Sequence, residues 1–328
     1  MPTISVIVPA YNSQNTILET IASIQQQTFT DFELIVIDDG SSDRTLELLQ
    51  TIRDSRIKVV SYENGGVSVA RNRGISLSTS EYITFIDADD LWTPDKLELQ
   101  LAALQQHPTA AVAYSWTCFM DRQGKFFHND NPIYFQGNVY SELLKTNFLL
   151  SGSNPLIRRV ALADVGEFDP TLTHAEEWEL YLRLAAKYDF VVVPKTQILY
   201  RQTAGSASAK IEVMEKDAIQ VIDRAFRSAP PQLQSLKNQS LANLYRYLAH
   251  LYLTKIPGAT AAKIAWQKLQ IAIRLQPQIL LNRKVQTLLV KFLLIQLLSP
   301  KLANYLLQKI TRIRANYIQD NDIRYIAE

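Results

Sequence analysis

Residues 81–92, EYITFIDADDLW, run an apolar stretch from Tyr82 to Ile86 straight into three carboxylates within four positions, Asp87, Asp89 and Asp90. Such a stretch reads as a buried strand that stops where charge begins. Negative charge gathered so tightly at one strand end repels itself, and a bound cation is the physical reason to collect it there. A second apolar run, ELIVI at 33–37, ends the same way in Asp38-Asp39-Gly40-Ser41-Ser42-Asp43. Two acidic strand ends imply one shared cleft, and with it an enzyme.

The pattern around those strands fixes the fold class. Strand 4–10 (ISVIVPA), a helix from about 13 to 27, strand 33–37, a helix at 43–52 and strand 57–62 alternate apolar runs with segments of 3.6-residue period. That is βαβ grammar and predicts an α/β fold with a mostly parallel sheet flanked by helices. Asn64-Gly65-Gly66 supplies a turn, and SVARNRGISLS reads as another helix before the strand at 82–86. Ligands of open parallel sheets sit beyond the carboxyl ends of the strands, where Pro9 to Asn12, Asp38-Asp39 and Asp87 to Asp90 all fall. Past Trp92, Thr93 reads as an N-cap and Pro94 as the first helical residue. A strand at 110–120, a polar loop at 121–138, and strands at 154–160 and 190–200 around a helix at 176–187 complete a catalytic domain expected over 1–211.

From 212 to 328 the pattern turns all-α. LANLYRYLAHLYLT and AAKIAWQKLQIAIRLQP resemble one degenerate tetratricopeptide-like helix pair, followed by amphipathic helices at about 282–298 and 300–318. The net charge of +2 hides a division: residues 215–328 carry 17 Lys and Arg against 6 Asp and Glu, and the preceding residues 17 against 26. No acidic residue occurs between Asp223 and Asp320. Such a region suits an anionic membrane surface, nucleic acid or an acidic partner, although no groove-reading motif supports specific nucleic-acid binding. The apolar run 285–298 is shorter than the ~20 residues a membrane span requires and contains Lys291, so an interfacial helix or one packed in a small bundle fits better. The single cysteine, Cys118, cannot form an intrachain disulfide, and no apolar leader precedes Ile4. Cytoplasmic residence is therefore expected, with a peripheral place on the inner leaflet of the plasma membrane. Oligomeric state is not written in the sequence.

Seven motifs in order, SVIVPAYN, IVIDDGSSDRT, GGVSVARNRGI, FIDADDLWTPDKLE, VGEFDP, AEEWELYLRLA and LYRQTAGSAS, make residues 3–206 resemble glycosyltransferase family 2, whose members have the GT-A nucleotide-sugar fold. The resemblance implies an inverting, metal-dependent transfer from a nucleoside-diphosphate sugar, most often a UDP-sugar, to a saccharide, lipid-linked or protein-linked acceptor in polysaccharide or glycoconjugate synthesis. No processive QxxRW signature is present, which predicts one sugar per encounter. A dinucleotide oxidoreductase is excluded because the first strand turn reads PAYN and not GxGxxG.

By the same resemblance, Asp39 accepts a hydrogen bond from the nucleotide base, with Asp38 beside it. Pro9, Ala10, Tyr11 and Asn12 wall the ring, and Arg71 turns a fixed cation toward the donor. Asp87 and Asp89 form the DxD pair: Asp89 ligates Mn2+ or Mg2+, and Asp87 binds the ribose or orients the metal shell, hard oxygen donors suiting hard ions. Asp90 is expected to cap the following helix. The general base falls in Glu176-Glu177, where the family form is usually Glu-Asp. Glu177 is the expected base and Glu176 the fallback, and the extra methylene of Glu177 sets the acceptor hydroxyl slightly further off. Arg201, Ser206 and Ser208 match a family segment near the donor phosphates, and Gly152, Ser153 and Asn154 fall in the region that shapes the acceptor pocket. His174 reads as a loop residue rather than a metal ligand, and His107 and His128 carry no constellation. The departure at Glu177 keeps one alternative in view, a catalytically impaired sugar-nucleotide scaffold that recruits a partner through its helical tail.

Overall fold

A computed structural model describes residues 1–121, 126–129, 132–202, 211–256 and 258–297. Strands β1 (Ile4–Ala10), β2 (Phe32–Asp38), β3 (Ile57–Ser61) and β4 (Tyr82–Phe85) alternate with helices α1 (Ile17–Gln25), α2 (Thr45–Gln50) and α3 (Val67–Leu77). They lie side by side in the order β3-β2-β1-β4, all parallel. The register pairs Ala10 with Asp38, Asp38 with Ser61 and Ile7 with Phe85. Ala10, Asp38 and the residues just past Phe85 therefore share one edge, which is how distant acidic segments become one cleft.

The sheet continues through antiparallel and parallel neighbours and is mixed. Strand β5 (Leu91–Trp92), helix α4 (Lys96–Gln106), strands β6 (Ala110–Met120) and β7 (Phe126–Asn129), helix α5 (Tyr140–Lys145), strand β8 (Leu156–Arg158), helices α6 (Arg159–Val165) and α7 (Glu176–Ala185), and strand β9 (Asp189–Arg201) follow in chain order. Strand β8 runs antiparallel to both β4 and β6, β9 lies parallel to β6, and β5 and β7 pair antiparallel at β9 and β6.

Strands β1 and β2 read as nearly continuous apolar runs, interrupted only by Ser5 and Glu33, which hydrogen-bond to each other, and by the closing Asp38, because helices cover both faces. On one face Val6, Val8 and Leu34 pack with Ile17, Ile21 and Ile24 of α1 and with Leu97, Leu101 and Leu104 of α4. The α1 residues recur at the spacing of one helical stripe. On the other face Ile35 and Ile37 meet Ala70 of α3. Helix α3 comes so close to β1 that a Cβ on Gly74 would stand 2.3 Å from Cγ2 of Ile7.

Two local expectations are overturned. Asp90 is no helix cap: Leu91–Trp92 form the short strand β5 against Leu199 and Ile198, and α4 starts only at Lys96, after Asp95. Thr93 is likewise no N-cap, and Pro94 precedes the helix. The Thr93 N–H donates to the Gln197 carbonyl, and its hydroxyl donates to Asp95 (2.7 Å). Pairing with β9 gives partners to backbone groups of β9 that a longer helix, hydrogen-bonded within itself, would not supply.

Helices α8 (Ile211–Ser228), α9 (Lys237–Lys255), α10 (Ala259–Leu275) and α11 (Arg283–Leu297) follow. The chain divides into two compact units. One holds Met1–Ala204 and Asp223–Ala229, and the other the described residues of Gly205–Ile222 and Pro230–Glu328. The last turn of α8 thus belongs to the first unit, where Arg224 ion-pairs with Asp169. In the second unit α9 packs along α10, and Trp266 stacks on Phe292 of α11 at 4.7 Å. The helix expected at 300–318 lies outside the described residues. Among the described residues no helix is long and apolar enough to cross a membrane.

Candidate active site

The segment Asp87 to Asp90 is held from three sides. Helix α1 donates Thr16 Oγ1 to the Ala88 carbonyl (2.8 Å) and Thr20 Oγ1 to the Asp90 carbonyl (2.9 Å). Ser153 accepts the Asp87 N–H (2.9 Å) and donates its own hydroxyl to Asp90 Oδ2 (2.6 Å). Arg201, at the end of β9, donates Nε to the Asp89 carbonyl and its N–H to Asp90 Oδ1. Its Nη2 reaches Glu19 on α1 (2.6 Å).

The three carboxylates have different surroundings. Asp90 is fully buried and serves the scaffold, accepting from Ser151, Ser153 and Arg201. Burial first, and then Asp89 and Asp87, push its pKa well up. Asp89 is half-buried, and its carboxylate has no side-chain hydrogen-bond partner among the described residues. Desolvation and the charge on Asp87 raise its pKa to about 6. Asp87 gives Oδ1 to Arg71 Nη2 at 2.7 Å. Two half-exposed carboxylates at one strand end, one of them electrostatically frustrated, are a donor set that fits a hard divalent cation. Among the described residues no group of three or more His, Cys, Asp or Glu could hold a metal ion.

Arg71 is only 2% exposed, so it is not a solvated helix residue. Its Nη2 holds Asp87 and its Nη1 holds Glu176 Oε1 at 2.8 Å, joining the acidic strand end to the first turn of α7. Burial alone would lower its pKa, but Asp87, Glu176 and Glu177 outweigh that and keep it a permanent cation. The guanidinium fits because residue 152 is glycine: a Cβ there would stand 2.5 Å from Nη2.

On α7, Glu176 is spent on Arg71, while Glu177 is half-buried and has no side-chain partner among the described residues. Desolvation and the neighbouring Glu176 push the Glu177 pKa well above the usual carboxylate range. Ala175, just before the pair, is in the left-handed conformation (φ 60°), a strained entry for a residue with a Cβ. Tyr181, one turn on, donates its hydroxyl to the Ser151 carbonyl (3.0 Å), and Trp178 Nε1 to the Leu143 carbonyl (2.9 Å). His174 is buried beside Thr173.

Asp39 and Asp38 lie at the end of β2. Asp39 accepts from the N–H groups of Gly65 and Gly66 and from Arg73 Nη1 (2.9 Å), and Asp38 accepts from Ser41 N–H and Ser61 Oγ. Both are buried: Asp38 ties the end of β2 to Ser41 and to Ser61 of β3, and Asp39 fixes the glycine turn at the start of α3. Pro9 and Ala10 close β1, Tyr11 is 53% exposed, and Asn12 (φ 48°) accepts from Ser42 through its side-chain carbonyl. Beside the glycines, a cavity of about 120 Å³ is lined by Gly66, Ser68, Pro170, Leu172 and Thr173.

Arg73 was not singled out in the sequence, and the roles of Ser153 and Asp90 differ from those expected of them. Arg73 was hidden because Arg71 sits two positions away on the same helix, and only packing shows which strand each one faces. Ser153 and Asp90 form a buried relay whose members are 63 positions apart. Ser206 and Ser208 lie outside the described residues.

Residues 5–251 match the family described as glycosyltransferase like family 2. An uncharacterized glycosyltransferase of Rickettsia bellii is 38% identical over 44% of the chain and 21% of the relative. The Escherichia coli UDP-Glc:alpha-D-GlcNAc-diphosphoundecaprenol beta-1,3-glucosyltransferase WfgD is 30% identical over 55% of the chain and 69% of its own length. Among solved structures, the mannosyltransferase PcManGT from Pyrobaculum calidifontis, in complex with GDP-Man and Mn2+, superposes with a TM-score of 0.56 at 21% identity, covering 89% of this chain and 87% of that one. The chain spans only 21% to 33% of the length of several Rickettsia relatives it matches. The chain belongs to glycosyltransferase family 2, and its fold is GT-A.

Proposed function

We propose that the chain is an inverting, metal-dependent glycosyltransferase that moves one sugar per encounter from a nucleoside-diphosphate sugar to an acceptor hydroxyl in polysaccharide or glycoconjugate synthesis. The observation that supports this reading is the Arg71 bridge from Asp87, on the half-exposed Asp87/Asp89 edge, to Glu176, which sets the next residue, Glu177, beside that edge with no side-chain hydrogen bond among the described residues. Glu177 takes the proton of the acceptor hydroxyl as that oxygen attacks the anomeric carbon from the face opposite the leaving diphosphate. A raised pKa makes Glu177 a stronger base than an ordinary carboxylate, and such a base contributes about 10²–10⁴-fold in rate. Glu176, engaged with Arg71, positions the helix rather than moving the proton.

A Mn2+ or Mg2+ ion held by Asp89 and Asp87 would supply Lewis-acid neutralisation of the charge left on the diphosphate. Pro9, Ala10, exposed Tyr11 and Asn12 offer the wall for the nucleotide base, with Asp39 behind them. UDP is the favoured nucleotide, in keeping with the UDP-Glc donor named for WfgD; the GDP-Man of PcManGT makes GDP-sugars the comparison arm. The acceptor is a saccharide, lipid-linked or protein-linked hydroxyl, and the basic second unit holds the enzyme near an anionic leaflet.

The test combines thermal shift and product analysis over UDP-, GDP- and dTDP-sugars with Mn2+. One donor should stabilise the protein only with metal, and Asp89→Ala should lose that shift. Glu177→Gln should keep the shift and lose transfer, and the product anomer should be inverted. A Glu177→Gln protein that transfers at the wild-type rate overturns the assignment of the base.

A further inference from the structure

Away from the catalytic edge, the second unit carries a cluster of cations that nothing above uses. Arg246 and His250 sit four positions apart on α9 and so share one face of that helix. Lys284 and Lys291 sit seven apart, two turns along one face of α11, which packs on α9. The Nε of Arg246 is buried and meets no acceptor among the described residues. A buried guanidinium donor without an acceptor is costly, and like charges crowded on two packed helices repel one another. His250 reports that field: protein packed around its ring, then Lys291, Arg246, Lys255 and Lys284, hold its pKa down to about 4 although part of the ring reaches solvent. Helices α9, α10 and α11 carry no acidic residue of their own, and Glu215 of α8, in the same unit, is paired with Lys268.

We propose that the α9/α11 face around Arg246, His250 and Lys284 is a phosphate-group binding site. A phosphate brings several acceptor oxygens and at least one negative charge to a place with a buried donor lacking an acceptor and a surplus of cations. The site is independent of the catalytic reading, because its readout involves no sugar transfer. Two sources share this chemistry, the phosphodiester of an anionic lipid headgroup and a soluble phosphate.

The experiment follows the ring signals of the four histidines of the full chain by NMR as pH is varied, in chloride, in inorganic phosphate, and with phosphatidylglycerol or phosphatidylcholine vesicles. Bound phosphate should raise the pKa of His250 by about one unit and leave that of His107 in place, since an adjacent anion favours the imidazolium. Arg246→Gln combined with Lys284→Gln should abolish the response, whereas Lys263→Gln, the same charge removed from an exposed position on α10, should preserve it. If phosphatidylglycerol vesicles also elicit the shift, the source is a headgroup, and the double variant should bind them roughly 10- to 30-fold more weakly. If inorganic phosphate alone elicits it, the ligand is soluble. A His250 that responds to neither, or that responds equally in the double variant, overturns the proposal. Where the vesicles do elicit the shift, vesicle binding that persists unchanged in the double variant overturns the headgroup as the ligand of this site, while leaving the leaflet assignment of the second unit standing.

Discussion

Asp89 and Ser153 show what single side chains contribute to the edge. The folded pKa of Asp89, about 6, lies above the value near 4 of an unfolded aspartate, so the folded state binds more protons between those values. Stability from this group is therefore present below pH 4 and is lost as pH rises toward 6. Asp89→Asn should raise stability at pH 7.5 by on the order of 1 kcal/mol, or roughly 2 °C in Tm, while removing the metal-dependent response to donor. Calorimetry at pH 7.5 and pH 4.5 checks the sign, because the gain should shrink at the lower pH. Ser153→Ala should cost about 1–3 kcal/mol, since the Asp87 N–H and buried Asp90 each lose a partner. Urea denaturation reads that loss, and transfer should fall with it as Asp87 drifts. At this scale the acidic pairs were legible because charge at the end of an apolar run is conspicuous. Ser153 was not, because a serine's role depends on what folds against it.

The element scale turns on two close approaches. Helix α3 lies against β1 only because residue 74 has no Cβ. Gly74→Ala should destabilise by about 1–3 kcal/mol through overpacking against Ile7. Combined with Ile7→Ala it should cost less than the two single changes added, a coupling that a double-mutant cycle in urea measures. Gly152→Ala presses on the Arg71 guanidinium, and its effect should appear as lost transfer before lost fold, because Arg71 ties β4 to α7. The alternation of strands and helices was readable from apolar period alone. The short strand β5 was not: its two residues, Leu91 and Trp92, pair with Leu199 and Ile198, and a partner so distant leaves no local mark.

For the whole molecule, the unit boundary and the charge division matter most. Phe226 is buried and belongs with Asp223–Ala229 to the first unit, although the period of the sequence placed the break at 211. A chain ending at Ala229 should be more stable than one ending at 211 by about 2–4 kcal/mol, the worth of a buried aromatic and its neighbours; denaturant titration of both checks it. The basic second unit should bring the protein to phosphatidylglycerol vesicles at low salt and release it as ionic strength approaches 0.5 M, since exposed charges are screened beyond a few ångströms there. Flotation on phosphatidylcholine gives the baseline, and equal weak binding to both lipids would end the leaflet assignment.

By itself the sequence determined the fold class and the sheet edge at which carboxylates collect, because apolar period and strand-end charge are local properties. Only the tertiary structure decided which carboxylate is spent on a partner and which remains open. Asp90 and Glu176 are engaged by Ser153, Arg201 and Arg71, while Asp89 and Glu177 are half-buried with no side-chain partner among the described residues. Those outcomes depend on burial and on contacts between residues up to 111 positions apart, and desolvation, the largest cause of the raised pKa at both Asp89 and Glu177, exists only once the chain has closed around them.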